Sequence, residues 1–252
     1  MKKGILFFAI VFICNSNIHA QQFIDKATIE FEVKTNVKKT MGNGMWADLL
    51  KDMPQYKTGY FNFSFSGGKS IYKFDHWADG PKVPEFLRKD DELSTYFFDH
   101  NVQKMHQQKL IRGSEFYVQD SIPKIKWRLS NESREIAGFN CRKAVGVIMD
   151  SVYIFAFYTE EILIPGGPCS ISGLPGMIMG LTIPRLYTSF IATKVKLSGV
   201  DETEIKPAAA KKPSTRADLR NFILKRMKEW YSDNDDEDSK NWRNNFVWSV
   251  LL

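Results

Sequence analysis

Short runs that alternate apolar and polar residues, each closed by a turn signal, limit how this chain can fold more than any other feature. Between Thr28 and Val37, Ile29, Phe31 and Val33 fall on one side, and Glu30, Glu32 and Lys34 on the other. A period of two is the pattern of a half-buried strand. Tyr60–Ser66 repeats it through Phe61, Phe63 and Phe65, and Gly67-Gly68 turns the run into Ser70–Phe74 as a β-hairpin. Further strands are expected at Thr95–Phe98, Lys104–Leu110, Glu115–Gln119, Lys124–Leu129, Cys141–Met149, Val152–Thr159 and Thr188–Leu197. About nine strands in succession with short turns predict an antiparallel meander that curls. The expected fold is mainly β: a curved antiparallel sheet or open half-barrel with a C-terminal amphipathic helix that plugs its concave face or caps one end.

The two ends of the chain differ from this middle. Lys2 and Lys3 precede an apolar stretch from Gly4 to Ile13, and Ile18-His19-Ala20 offers a small residue before Gln21. This is the pattern of a secretory signal peptide over residues 1–20, too short to anchor in a bilayer, with cleavage near Ala20. Cys14 follows Ile13 where a lipid-attachment signal wants Gly or Ala, which argues against lipidation. No later stretch is apolar enough to cross a membrane as a helix, so the mature chain is read as an exported protein of the periplasm, the outer-membrane surface or the exterior. Residues 21–200 form the expected β domain. Residues 201–252 hold a polar linker, a helix and an aromatic tail. Thr215 and Asp218 are spaced as a capping box. Leu219, Phe222, Ile223, Met227 and Trp230 then follow at helical spacing to about Tyr231. Residues 43–53 carry Trp46, Leu49, Leu50 and Met53 at the same spacing and predict a short helix.

Charge excludes one class of function. The chain has 35 Lys and Arg against 29 Asp and Glu, a net charge of +6. Loss of Lys2 and Lys3 leaves +4, since residues 1–20 contain no carboxylate. The excess is spread rather than clustered, which argues against a nucleic-acid site.

The densest punctuation is the segment G-G-P-C-S-I-S-G-L-P-G-M at residues 166–177. Leu174-Pro175-Gly176-Met177 suits a type II turn, with Pro175 setting φ at its second position and Gly176 supplying a positive φ at its third. Met177, Ile178, Met179, Leu181 and Ile183 then make one buried strand. The corner carries no acid, base, nucleophile or metal ligand, so any function there would be binding. Cys141 and Cys169 remain once Cys14 is removed, and two cysteines in an oxidising compartment read as one disulfide. Such a bridge would add roughly 3–4 kcal/mol on the chain-entropy view.

Catalytic constellations are sparse. His76 stands between Asp75 and Trp77, with Asp79 nearby, at the head of the connection 75–93 marked by Gly80, Pro81 and Pro84. A metal or acid–base role there needs further ligands from elsewhere, and the ordinary reading is a surface histidine. His100 falls in a turn, and His106 on a polar strand face with Lys104 and Gln108. Ser170 and Ser172 lack the G-x-S-x-G setting of a hydrolase elbow. The acidic run 233–238 lacks the glycine and twelfth-position carboxylate of a calcium loop. No catalytic, cofactor-binding or metal-ligating residue is assigned. His76, Trp77, Met177 and Met179 are the candidate binding residues, the two methionines as lining of an apolar cavity, although core packing is the commoner role of such residues.

The segments I-P-K-I-K-W-R-L (122–129), I-A-G-F-N-C-R-K-A (136–144), Y-T-E-E-I (158–162), G-P (167–168) and G-L-P-G-M-I (173–178) occur in an order that resembles the GLPGLI family, exported proteins of Bacteroidetes-type bacteria. The resemblance spans about residues 115–200, and Met177 stands where the naming motif has Leu, a swap that conserves volume. It implies a secreted or periplasmic β-rich protein. It implies no catalytic residues, because the family has no established activity. It also implies an association, in some members, with outer-membrane TonB-dependent receptors. Three functions are therefore carried forward: an envelope protein that binds an apolar ligand or a protein partner; a metal-dependent or other hydrolase built on the His76 loop; and an interaction protein that docks through its C-terminal tail.

Overall fold

The computed structural model describes residues 24–41, 51–209, 212–230 and 237–252. The signal peptide, the helix expected around Trp46 and most of the acidic run lie outside the described residues. Eleven strands form one antiparallel sheet: β1 (Lys26–Asn36), β2 (Tyr56–Ser66), β3 (Lys69–Trp77), β4 (Thr95–Asp99), β5 (Lys104–Ile111), β6 (Ser114–Ser121), β7 (Trp127–Ile136), β8 (Phe139–Ile148), β9 (Val152–Thr159), β10 (Met177–Ile183) and β11 (Thr188–Lys196). Their spatial order is β6-β5-β4-β3-β2-β1-β11-β10-β9-β8-β7. Two meanders thus meet where β1 pairs with β11, with Thr28 opposite Lys196 and Thr35 opposite Thr188. The outer strands β6 and β7 are consecutive in the chain, yet they do not pair, so the curved sheet stays open.

Period-two patterning explains the single core. Ala27, Ile29 and Phe31 of β1 are fully buried, as are Ile154, Ala156 and Tyr158 of β9, and Phe61, Phe63 and Phe65 of β2 lie beside them. The open edges are managed separately. Ser214 bridges Val118 of β6, donating its N–H to Tyr117 O at 2.8 Å and accepting from Gln119 N at 2.9 Å. On β7, residues 130–135 are polar or charged, and all but Ser130 are exposed, which discourages pairing with another chain.

Four short helices complete the described fold: α1 (Val37–Met41), α2 (Lys89–Glu92), α3 (Arg216–Trp230) and α4 (Glu237–Leu251). The capping box forms as expected: Thr215 N donates to Asp218 Oδ2 at 3.0 Å, and Asp218 N donates to Thr215 Oγ1 at 3.1 Å. Leu219, Ile223 and Met227 of α3 pack on Ile111, Val118, Val247, Val250 and Leu251. The aromatic tail forms helix α4, because Trp242, Phe246, Val247, Val250 and Leu251 recur at helical spacing and have a core to enter.

The glycine-rich segment between β9 and β10 is buried, as expected of a corner between two strands, and it packs as a plug inside the curved sheet. Ile162, Ile164, Cys169, Ile171 and Leu174 are all buried in the main core. A Cβ on Gly166 would lie 2.7 Å from the Phe63 ring, and one on Gly167 would lie 2.8 Å from Ile178 Cβ. The type II turn does not form. Met177 N donates to Ile162 O at 2.9 Å instead of closing back on Leu174, and Gly176 takes φ +153°. A side chain on Gly176 would run into the carbonyl oxygen of Thr159. Gly173 supplies a positive φ of +94°, and Gly176 serves close approach to the Thr159 backbone rather than a tight reversal.

Candidate functional site: a cavity under the C-terminal helix

The plug fills one part of the concave face and leaves a cavity of about 400 Å³ beside it. Its walls come from Val33 of β1, Phe61 of β2, Tyr72 of β3, Tyr96 of β4, Lys109 of β5 and Phe190 of β11, from Phe86, Leu87, Asp90 and Asp91 of the long connection, from Cys169 of the plug, and from Trp242, Phe246, Val250 and Leu252 at the C-terminal end. Alternation dictates which β5 residues arrive here. Met105, Gln107 and Lys109 point inward and are buried, whereas His106 and Gln108 are only partly covered. The volume lies within the range of small-molecule sites, which are mostly apolar with a few polar groups.

The polar groups gather around the end of α4. The last carbonyls of a helix have no partner within it, and its C-terminus attracts cations. Here Lys109 Nζ donates to Val250 O at 2.7 Å, Arg216 Nη2 donates to Leu251 O at 2.7 Å, and Gln107 Nε2 lies 3.5 Å from Leu252 O. Lys109 is 4% exposed, and burial pushes its ammonium down to about 8. Tyr96 lies beneath that ammonium, 5.1 Å from ring centroid to Nζ. Beside Tyr96 lies the Cys169 thiol, which burial pushes up to about 12. The Tyr72 hydroxyl is fully buried and has no hydrogen-bond partner among the described residues. Burial also raises Asp90, to about 6, and neighbouring Asp91 adds to the effect. Asp91 is itself paired with Lys57 at 2.5 Å.

The sequence-predicted residues are not brought together. His76 lies within β3, not in the loop after it. There it is paired with Asp75 at 2.6 Å and stacked on Tyr60 at 4.6 Å between ring centroids, exposed to solvent. Trp77 ends the same strand and donates to Glu92 Oε1 at 2.6 Å, which ties down α2. No group of three His, Cys, Asp or Glu among the described residues is placed to hold a metal. Met177 and Met179 are fully buried core residues and do not line the cavity. Cys141 and Cys169, expected to form a disulfide, are both buried and are not bonded to each other in this structure. The Cys141 thiol contacts Phe139 O at 3.4 Å, while Cys169, at φ +54°, turns toward Tyr96 and Lys109. Sequence reasoning passed over Lys109 and Gln107. The available signal was that they share the parity of Met105, the apolar residue of the same run.

A second, more polar groove of about 550 Å³ runs along the β6–β7 connection, with Pro123, Lys124, Asp150, Ser170 and Arg216 on its walls. Adjacent residues of the plug reach both spaces: Ser170 lines this groove and Cys169 the apolar cavity.

No family model and no curated protein matches the chain. Among solved structures the chain is similar to PNGF-II in two crystal forms. One aligns at 14% identity and a TM-score of 0.52, covering 79% of this chain and 33% of that one. The other gives 14% and 0.52 over 80% and 33%. The chain therefore spans about a third of PNGF-II's length, and the likeness is one of fold. An uncharacterized conserved protein from Thermus thermophilus aligns at 7% identity and a TM-score of 0.39, over 75% of this chain and 89% of that one, too slight a likeness to argue from.

Proposed function

We propose that this chain is an exported binding protein of the GLPGLI type that holds a small apolar molecule between its curved sheet and helix α4. The observation that carries this reading is the cavity itself, an apolar space of ligand size lined from six neighbouring strands, β11 and β1 to β5. A core that served stability alone would close such a space, because protein interiors pack with few voids. The helix over it is anchored by its own end carbonyls and by Val247, Val250 and Leu251. This supports a covering role for the tail over one of docking to another protein. The hydrolase reading gains less support, since the His76–Asp75 pair sits on the exposed face of β3.

The test uses the purified chain without residues 1–20 and the neutral fluorescent probe N-phenyl-1-naphthylamine. Saturable uptake of one probe per chain is expected. Val33→Phe, which fills the cavity from β1, should abolish it while leaving the circular dichroism spectrum unchanged. Absence of uptake, or uptake indifferent to Val33→Phe, rules the reading out.

A further inference from the structure

The cavity contains a charge and a donor that its apolar walls do not explain. Buried ammonium groups are normally paired with a carboxylate. Among the described residues, Lys109 has no ion-pair partner, and the carbonyl of Val250 is its hydrogen-bond acceptor. The carboxylates that act on it through space are Asp90 and Asp91. Asp91 is engaged by Lys57, and Asp90 feels Arg112 beside it. Arg216 faces the same end of α4 and adds positive charge. Tyr72 places an unpartnered hydroxyl in the same cavity, and Cys169 interacts with Tyr72, Tyr96 and Lys109 alike. An ammonium without a counter-charge and a phenol without an acceptor, set in an apolar chamber, are complementary to a single anionic head group on a hydrocarbon chain.

Resting on the binding reading above, we infer that the occupant is an amphipathic carboxylic acid whose carboxylate accepts from Lys109 Nζ and Tyr72 Oη while its chain lies among Phe61, Phe190, Trp242 and Phe246. The site discriminates against a neutral isostere, because the ester or alcohol leaves the ammonium without a counter-charge. Lys109 already spends one N–H on Val250, so it has two left for an incoming carboxylate. Engagement of the acid therefore does not require α4 to leave.

Affinities of the chain without residues 1–20 for dodecanoate, methyl dodecanoate and dodecanol test this by competition with the neutral probe. The acid should bind about 10- to 100-fold more tightly than the ester, the range of a charge-assisted hydrogen bond in a buried site. Lys109→Met should remove that gap while keeping ester affinity within about threefold, since it retains the apolar length. Tyr72→Phe should weaken the acid alone by about 2- to 10-fold. Equal binding of acid and ester by the unaltered chain overturns the inference but leaves the apolar-ligand reading intact. Failure of all three to bind overturns both. As a check that needs no variant, the carboxyl resonance of bound ¹³C-labelled dodecanoate should titrate at lower pH than in the free acid. A titration shifted upward would mean that the carboxylate meets no cation and would refute the assignment.

Discussion

Lys109 Nζ and the Val250 carbonyl oxygen lie 2.7 Å apart, so the buried cation of the cavity is held by the last turn of the helix that covers it. Site and cover are thus one hydrogen-bonded unit. Disturbing α4 disturbs the charge, and titrating the charge alters the bond that seats α4.

The first prediction follows from that charge. Burial lowers Lys109 from its ordinary 10.5 to about 8, so the unfolded chain holds this proton more tightly than the folded one. Between about pH 8 and 10.5 the unfolded state therefore binds more protons, and this group's contribution makes stability rise with pH. The full change is about 3 kcal/mol at roughly 1.36 kcal/mol per pKa unit. Urea unfolding of the unaltered chain and of Lys109→Met should diverge in slope across that window, a comparison that cancels the opposing titration of Cys141, Cys169 and the tyrosines. Parallel pH profiles would contradict the buried placement of Lys109.

Removing residues 241–252 should unfold the domain. The deletion takes away Val247, Val250, Leu251 and Leu252, all buried, and strips the acceptors from Lys109 and Arg216. Burial of such side chains is worth about 1.5–3 kcal/mol each, and whole domains are stable by only about 5–15 kcal/mol. Loss of cooperative thermal unfolding is expected. A truncated chain that melts normally would show that the tail is not part of this core.

Gly176→Ala should cost about 3 kcal/mol, combining a positive-φ penalty with overpacking. The Cβ meets backbone of Thr159 and Glu160, which belongs to the sheet and its exit and cannot rotate aside. Gly138, also at positive φ but with open space around it, serves as a control: Gly138→Ala should cost only the backbone part, roughly 1 kcal/mol. Chemical denaturation measures both.

Thiol counting checks the cysteines. The chain lacking residues 1–20 should show two reactive thiols in guanidinium and almost none when folded, because Cys141 and Cys169 are buried and burial raises both thiols, to about 11 and about 12. One disulfide and no thiol under denaturing conditions would contradict the separate settings that the fold gives these sulfurs.

What the sequence determined by itself was local. Alternation at Ile29, Phe31 and Val33, or at Phe61, Phe63 and Phe65, needs only one buried face to specify a strand, and Thr215 with Asp218 caps α3 through bonds within four residues. The mainly β, curved and open sheet follows from such local signals added together. Tertiary structure decided everything that depends on what lies opposite. Cysteine counting treats two thiols in one compartment as a pair, whereas the fold turns Cys169 toward Tyr96 and leaves Cys141 on β8. Gly166 and Gly167 look like turn residues until Phe63 and Ile178 are set against them. Lys109 reads as an ordinary strand lysine in K-M-H-Q-Q-K-L, because its partner Val250 is 141 positions away. No period or spacing encodes a contact across such a separation, and it exists only once the sheet has curled and α4 has closed over it.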